Sequence, residues 1–254
     1  MKKNTLMELM TISTSYYIAA GFASFLLGVS KSGIKGIAIL IVTVLALVFG
    51  ARESTGIIMP LLLIGDIFAV SYYNRYTQWK YIRKLTPWMM IGVLIGVFSA
   101  KDIPERSFKI IMAIIIILST ILMYFSENKP NKKVPSHWVF SFSMGILAGI
   151  STMVGNLAGS FANIFFLAIR LPKNEFIGTA AWLFFIINFF KLPFHIFIWK
   201  TININSLTQS LSLTPFLIIG LIAGVKIVKK IKNNSYRKLI LFFTAIGAIM
   251  ILFK

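Results

Sequence analysis

The sequence predicts an all-α, polytopic transmembrane protein, and three observations lead to this fold class. Of the 254 residues, 57% are hydrophobic and only 13% are charged, whereas a soluble domain carries about 25% charged residues. Apolar runs recur along the whole chain, many of them near the roughly 20 residues that a helix needs to cross a bilayer. The charged residues gather in short clusters between these runs. The chain therefore has no room for a soluble catalytic domain.

Polar breaks divide the chain into ten apolar segments. We expect these segments at about 10–29, 34–50, 55–73, 86–100, 108–126, 138–150, 155–170, 176–198, 207–228 and 238–253. The longest polar link covers 128–137 and contains Pro130 and Pro135. It separates a first transmembrane unit, 1–127, from a second, 138–254.

The charge and the rare residue types narrow the function. The net charge of +19 indicates basic loops on the anionic cytoplasmic leaflet of a membrane rather than a nucleic-acid partner. The chain has no cysteine and only two histidines, His137 and His195, which disfavours metal and thiol chemistry. The glycine-rich run 28–36 lacks the Gly-Lys-Ser/Thr ending of an ATP-binding loop. We therefore expect no cofactor, no metal and no enzymatic activity.

The two halves of the chain resemble each other, which indicates an internal duplication. At an offset of 122 the matching pairs are Glu53/Glu175, Gly56/Gly178 and Asp66/Asn188. At an offset of 128 a second set matches Pro87, Gly92, Gly96 and Val97 to Pro215, Gly220, Gly224 and Val225.

The charges of the loops favour one orientation of the two repeats. Five segments in each half, with or without a re-entrant hairpin, invert the second half and divide the basic loop residues 15 to 8 between the two sides. If the first two segments formed one broken crossing, the repeats would be parallel and the division would be 11 to 12. The positive-inside rule therefore predicts inverted repeats with both termini outside, although Lys2 and Lys3 oppose this slightly. Lys31, Lys35 and Lys191 are omitted from the count as intramembrane candidates.

A polar break interrupts the first pair of segments in each half, at 28–36 and at 149–156. Short, glycine-interrupted segments at matching places in two repeats indicate a transporter binding site. The reason is that backbone without internal hydrogen bonds is tolerated at membrane depth only beside protein or a watery cavity. The alternative is an ordinary tight turn between two full spans.

An apolar run follows each break, so a helix N-terminus should lie just beyond it. The free N–H groups and the dipole of such a terminus attract anions. In inverted repeats the two tips would approach each other near the midplane and hold a sulfite, sulfonate or carboxylate. The residues predicted to bind this substrate are Ser30, Lys31, Ser32, Gly33, Ser151, Thr152, Gly155 and Asn156.

Asp66 is the only acidic residue well inside an apolar segment. A charge at the bilayer centre costs about 2.5–3.5 kcal/mol, so such a residue is first considered functional. Together with its repeat mate Asn188 and with Lys191, Asp66 is predicted to line the site or to couple transport to H⁺ or Na⁺. The alternative is an ion pair with Lys31 or Lys191 that only holds helices together.

Several ordered motifs are also those of a known family. In the first half they include Gly28-x-Ser-Lys-Ser-Gly-x-x-Gly36, Glu53-Ser-Thr-Gly56 and Pro60-Leu-Leu-Leu-Ile-Gly-Asp66. In the second half they include Gly155-Asn-x-x-Gly159 and Asn188-x-x-Lys-Leu-Pro193. Over nearly its whole length the chain resembles the TauE/SafE family of sulfite-exporter-like permeases. The resemblance implies a secondary carrier of small, often sulfur-containing anions.

We therefore expect a permease of a bacterial cell membrane that works by alternating access between two inverted halves. Its partners would be the lipid bilayer, a small anion, and H⁺ or Na⁺ as the coupling ion; a homo-oligomer is compatible with the sequence. A passive channel for the same anions is the first alternative. A membrane scaffold that transports nothing is the second.

Overall fold

The computed structural model describes residues 14–108 and 138–232 continuously, together with separate positions between 110 and 121 and between 235 and 242. Among these residues no strand occurs, so the predicted all-α class is confirmed. The continuously described helices are α1 (Thr14–Lys31), α2 (Ala38–Phe49), α3 (Ala51–Tyr73), α4 (Trp79–Ala100), α5 (Trp138–Gly155), α6 (Ala158–Ala168), α7 (Lys173–Pro193) and α8 (Ile204–Lys230). The 3₁₀ turn Asn74–Tyr76 extends α3, and the π-helical turn Phe194–Ile198 extends α7.

Helices long and apolar enough to cross a membrane confirm the multi-pass prediction. In the described part of the chain they are Ala51–Tyr76, Trp79–Ala100, Trp138–Gly155, Lys173–Ile198 and Ile204–Lys230. By contrast, α2 has 12 residues and α6 has 11, too few for a crossing of about 20 residues. The linker 128–137 and most of the segments predicted at 108–126 and 238–253 lie outside the described residues.

Several helices begin earlier than predicted. Helix α3 begins at Ala51 rather than near 55, α4 at Trp79 rather than near 86, and α8 at Ile204 rather than near 207. The prediction followed apolar runs, whereas the first turns of these helices contain polar and charged residues. In α8 the first turn is fixed by a capping box in which the Asn203 side chain accepts from the Ser206 N–H, a side-chain signal that hydropathy does not register.

Helices from the two halves pack against each other in matching pairs. Helix α4 packs against α5, and its counterpart α8 packs against α1. Glycines at these crossings allow the helices to approach closely. Gly92 faces Gly149, and Gly220 lies against the backbone of Phe25. Helices α3 and α7 also contact each other, as expected of equivalent helices beside a two-fold axis. The inverted orientation of the repeats stays a prediction.

A basic residue in the first turn of α3 and another in the first turn of α7 close the ends of neighbouring helices. The Arg52 guanidinium donates to three carbonyl oxygens at the end of α4, at 2.6–2.9 Å. The Lys173 ammonium donates to the carbonyl oxygens of Val228 and Ile231 at the end of α8, at 3.1 and 2.6 Å. Both cations compensate the negative end of a helix dipole.

Candidate functional site

A cavity of about 60 Å³ is lined by residues from both helix breaks. A cavity needs about 10–15 Å³ of such space to hold one water molecule, so this cavity has room for water or for one small oxyanion. Its lining residues are Leu27, Ser30, Lys31, Lys35, Gly36, Ala38, Ile41, Val42, Ile58, Leu62, Thr152, Asn156, Ala158, Gly159, Asn163, Phe184 and Asn188. Residues of α1, α2, α3, α5, α6 and α7 thus meet at one place.

The first break follows Lys31 and is held by tyrosine side chains from other helical regions. Gly33 and Gly36 adopt φ values of +126° and +98°, which glycine reaches without a steric penalty. The freed carbonyl oxygens of Ser32 and Gly33 accept hydrogen bonds from the hydroxyls of Tyr73 and Tyr236, at 2.7 and 2.5 Å. The polar backbone at this break is therefore satisfied by protein rather than by lipid.

The second break is shorter and centres on Asn156. This residue has a φ of +57°, in the left-handed region that asparagine tolerates better than most residues. Its Nδ2 donates to the carbonyl oxygen of Thr55 on α3 at 3.3 Å. Its Oδ1 accepts from the Lys191 ammonium at 2.5 Å. One side chain therefore connects the break to both α3 and α7.

The N-terminal ends of two short helices face the cavity. Ala38 of α2 and Ala158 of α6 both line it, so a helix N-terminus lies beyond each break as predicted. The residues before them, Ile37 and Leu157, provide no side-chain cap. The first-turn N–H groups are therefore not capped by the residue that precedes either helix, and free N–H groups at a helix N-terminus attract anions.

Five of the eight predicted tip residues lie in helices rather than in the breaks. Ser30 and Lys31 belong to the last turn of α1, and Ser151, Thr152 and Gly155 to the last turns of α5. The breaks are shorter than predicted because the serine hydroxyl can bond back to its own helix. Ser151 Oγ, for example, donates to the carbonyl oxygen of Ala148.

Only half of the tip residues line the cavity. Ser30, Lys31, Thr152 and Asn156 do so. The remaining residues face other parts of the protein: Ser32 Oγ donates to the carbonyl oxygen of Leu221 at 2.6 Å, Gly33 lies against Ile177, and Ser151 and Gly155 are buried away from the lining.

Asp66 joins three helices through both of its carboxylate oxygens. Its Oδ1 pairs with the Lys31 ammonium at 2.5 Å, and its Oδ2 accepts from Asn188 Nδ2 at 2.5 Å. The Asp66 side chain is fully buried. The Asp66–Lys31 pair considered as a structural alternative is therefore present. Asp66 itself does not line the cavity, whereas both of its partners, Lys31 and Asn188, do.

Lys191 does not pair with Asp66. Its fully buried ammonium donates to the carbonyl oxygen and the hydroxyl of Thr152, both at 3.0 Å, and to Asn156 Oδ1. All three acceptors are neutral. Lys191 therefore holds the second break in place while bringing a positive charge directly behind two residues of the cavity wall.

Lys35 is a cavity residue that the predicted site set omits. It is 4% exposed, and its Nζ donates to the carbonyl oxygen of Ser30 at 3.2 Å. The ammonium groups of Lys31 and Lys35 each lie 5.7 Å from the centre of the Phe184 ring, within the range of cation–π attraction. The sequence signal that could have identified Lys35 was its position inside an apolar stretch, unlike the lysines of the loops.

Asn163 and Gly159 of α6 were also missed. Both line the cavity, and Asn163 Oδ1 is buried without a hydrogen-bond partner in the described part of the chain. Gly159 was noted only as the end of the family motif Gly155-Asn-x-x-Gly159, and Asn163 does not stand out within its apolar segment. Only the packing of α6 against the first break shows their position.

The charges at the cavity are unbalanced. Within the described residues, the buried lysine, arginine, aspartate and glutamate side chains are Lys31, Lys35, Lys191 and Asp66. Lys31 has a carboxylate partner, whereas Lys35 and Lys191 donate to neutral oxygens. Buried charge without an opposite charge is costly, so this cavity favours an anionic occupant.

Comparison with known protein families agrees with this geometry. The family described as sulfite exporter TauE/SafE matches residues 17–251. The chain belongs to the TauE/SafE family. The match covers both halves of this TauE/SafE protein, and hence every residue of the cavity, and it confirms the resemblance expected from the motifs. No curated protein and no solved structure matches the chain significantly.

Membership assigns this TauE/SafE protein to a family of membrane transporters. The apolar helices agree, since the described residues include five that are able to span a bilayer. The protein is therefore a multi-pass membrane transporter of the sulfite exporter family.

Proposed function

We propose that this TauE/SafE protein is a secondary carrier that binds one small anion in the cavity between the two helix breaks. The observation that carries the proposal is the charge imbalance there. Lys35 and Lys191 are buried at 4% and 0% exposure, and neither has a carboxylate partner among the described residues. An anion would supply the missing negative charge.

The lining residues suit an oxyanion in particular. Lys35 contributes a charge, and the uncapped N-termini of α2 and α6 contribute N–H donors. The hydroxyls of Ser30 and Thr152 add neutral donors at the wall. Lys191 acts through its hold on Thr152 and Asn156 rather than by lining the cavity. Several donors that converge on one small volume are typical of sites for sulfite, sulfonate or carboxylate groups.

The volume of the cavity limits the size of the cargo. With about 60 Å³, the cavity suits a small anion such as sulfite or a one-carbon sulfonate. A longer organosulfonate or a dicarboxylate would require the walls to move apart. We therefore place the smallest sulfur oxyanions first and the small carboxylates second.

The arrangement of the helices supports alternating access. The two breaks occupy equivalent places in the two predicted repeats, and helices of one half pack against helices of the other. In carriers built from inverted repeats, rocking of one half against the other opens a central site to each side in turn. Because the sequence contains no nucleotide motif, the energy would come from an ion or substrate gradient. We place the carrier in a bacterial cell membrane with both termini outside.

Uptake by proteoliposomes tests the proposal. Purified protein is reconstituted, and uptake of labelled sulfite, sulfoacetate and taurine is measured with and without pH and sodium gradients. We expect saturable uptake of sulfite that Lys35→Gln reduces to background. The matched control is Lys226→Gln, which removes an exposed lysine of α8 and should transport like the wild type.

Each contrary result indicates a different function. Flux that neither saturates nor concentrates the anion would indicate a passive channel. Saturable uptake of acetate or another small carboxylate, but not of the sulfur compounds, would move the assignment to carboxylates. If the folded, reconstituted protein transports none of the tested anions, the carrier function is rejected and the membrane scaffold is the remaining alternative.

A further inference from the structure

Release of the anion leaves buried positive charge in the carrier without compensation. When the anion leaves, the ammonium groups of Lys35 and Lys191 would remain buried with neutral partners only. A charge at membrane depth is energetically costly. A carrier that must return empty therefore gains if one of these groups loses its proton together with the anion.

Asp66 is poorly placed to carry that proton. Its Oδ1 is bonded to Lys31 and its Oδ2 to Asn188, so both oxygens are already engaged. Protonation would break the ion pair and leave the Lys31 ammonium buried without its only carboxylate. The sequence predicts that Asp66 couples transport, but in the structure Asp66 has a competing role in holding Lys31 and Asn188.

Lys35 is the least compensated of the three buried lysines. Within the described part of the chain, its one hydrogen-bond acceptor is the Ser30 carbonyl oxygen at 3.2 Å, whereas Lys191 has three oxygen acceptors within 3.0 Å. Lys35 also lines the cavity, so that a bound anion can contact its Nζ directly. Loss of the anion therefore affects the charge of Lys35 more than that of Lys191.

Among the described residues, Asp66 is the one negative charge that acts on Lys35. The charged groups that interact with Lys35 are Lys31 from α1 and Asp66 from α3, and those that interact with Lys191 from α7 are the same two. His195 lies one turn beyond Lys191. The imidazole of His195 is paired through Nδ1 with the Thr201 hydroxyl at 2.8 Å. On α5 and α6 the lining residues are neutral: Thr152, Asn156, Ala158, Gly159 and Asn163.

We propose that the proton is the coupling ion of this carrier and that Lys35 carries it. On the side where the anion enters, Lys35 Nζ takes a proton from water and binds the anion as an ammonium. On the other side the anion leaves, the proton returns to water, and the carrier goes back with a neutral amine. One proton accompanies each anion in the same direction. This inference rests on the proposed anion-carrier function.

Lys35→Arg provides the sharpest variant. A guanidinium keeps its proton under all conditions that the protein tolerates, so the variant can bind the anion but cannot return empty as a neutral group. We expect Lys35→Arg to exchange labelled for unlabelled anion across the membrane and to lose net uptake. Lys226→Arg, at an exposed position of α8, should keep both activities.

The experiment records anion and proton movement in the same vesicles. The vesicles hold a pH-sensitive dye, the membrane potential is clamped, and the first probe is methanesulfonate, because its sulfonate does not titrate in the range of the assay. For the wild type we expect lumenal acidification with uptake, at about one proton per anion. Sulfite can itself bring a proton into the vesicle. For sulfite, the compared quantity is therefore the difference in lumenal acidification between the wild type and Lys35→Arg.

The outcomes separate this inference from the proposed function. Two results for the wild type would overturn proton coupling and leave the carrier function intact. One is anion uptake without proton movement, and the other is anion uptake with proton movement that depends on sodium. Proton-coupled net uptake by Lys35→Arg would overturn the role of Lys35. If Lys35→Arg fails to fold, Lys35→Gln replaces it, because its neutral side chain cannot carry a proton. We expect background uptake from this variant, and uptake above background with proton movement would overturn the role of Lys35. Absence of uptake of every tested anion by the wild type would reject both proposals.

Discussion

Asn188 Nδ2 donates to Asp66 Oδ2 at 2.5 Å, across 122 residues of chain. The same offset aligns Asp66 with Asn188 in the predicted internal repeat. Two positions that the predicted repeat makes equivalent, one on α3 and one on α7, therefore contact each other. Since Lys31 pairs with the other carboxylate oxygen, the contact connects α1, α3 and α7 at the cavity wall.

Removing the charge of Asp66 should destabilise the protein. In Asp66→Asn the Lys31 ammonium, with a side chain 7% exposed, loses its carboxylate. Removing one partner of a buried ion pair costs about 3–5 kcal/mol. We expect a markedly lower unfolding temperature in thermal denaturation of the detergent-solubilised protein.

A double variant distinguishes a structural pair from a transport residue. Lys31→Met combined with Asp66→Leu removes both charges, and replacement of a buried pair by apolar side chains is often neutral for stability. We expect the double variant to fold like the wild type and to transport nothing. Normal transport by the double variant would show that the pair only holds helices together.

Two neighbouring serines should give opposite phenotypes. Ser30 lines the cavity, so Ser30→Ala should raise the KM for the anion about tenfold through the loss of a hydrogen bond to a charged ligand. Ser32 Oγ donates to the Leu221 carbonyl instead, and Ser32→Ala should leave KM unchanged and lower the unfolding free energy by about 1 kcal/mol. Transport kinetics and thermal unfolding of both variants check this pair. A higher KM for Ser32→Ala alone would contradict the placement of the cavity.

The crossing of α1 and α8 should not tolerate a side chain at Gly220. An added Cβ there would collide with the carbonyl oxygen of Phe25, which belongs to the backbone and cannot rotate away. We expect Gly220→Ala to cost at least about 1–3 kcal/mol and to reduce the yield of folded protein. The matched control is Gly21→Ala, whose Cβ would meet the Phe216 ring at 3.1 Å, a side chain that can shift. Equal yields and equal unfolding temperatures would show that the helices are less closely packed than described.

Arg52, whose guanidinium caps the end of α4, should contribute to stability and not to substrate affinity. Arg52 donates to the carbonyl oxygens of Ala100, Lys101 and Ile103 and does not line the cavity. We expect Arg52→Gln to lower the unfolding free energy by about 1–3 kcal/mol at unchanged KM. Lys173→Gln should act similarly at the end of α8, where it loses two carbonyl contacts. The comparison is Arg75→Gln, whose guanidinium lies over the exposed side of Tyr76 and should change little.

Much of this fold could be predicted from the sequence because the bilayer constrains each membrane-spanning segment through its own residues. Each span must be apolar and must satisfy its own backbone, so α3, α4, α5, α7 and α8 are visible as hydrophobic runs. The same requirement makes the two breaks conspicuous, since glycine and polar residues within such runs need a special environment. The single acidic residue in an apolar segment, Asp66, was found by the same reasoning.

Only the tertiary structure decided which polar side chains share the cavity. Ser30 faces it while Ser32 turns to Leu221, and Lys191 holds Thr152 and Asn156 rather than Asp66. These outcomes depend on the rotation of each helix and on partners that lie far away along the chain. A local pattern contains neither quantity, because they are set by how helices of one half pack against helices of the other.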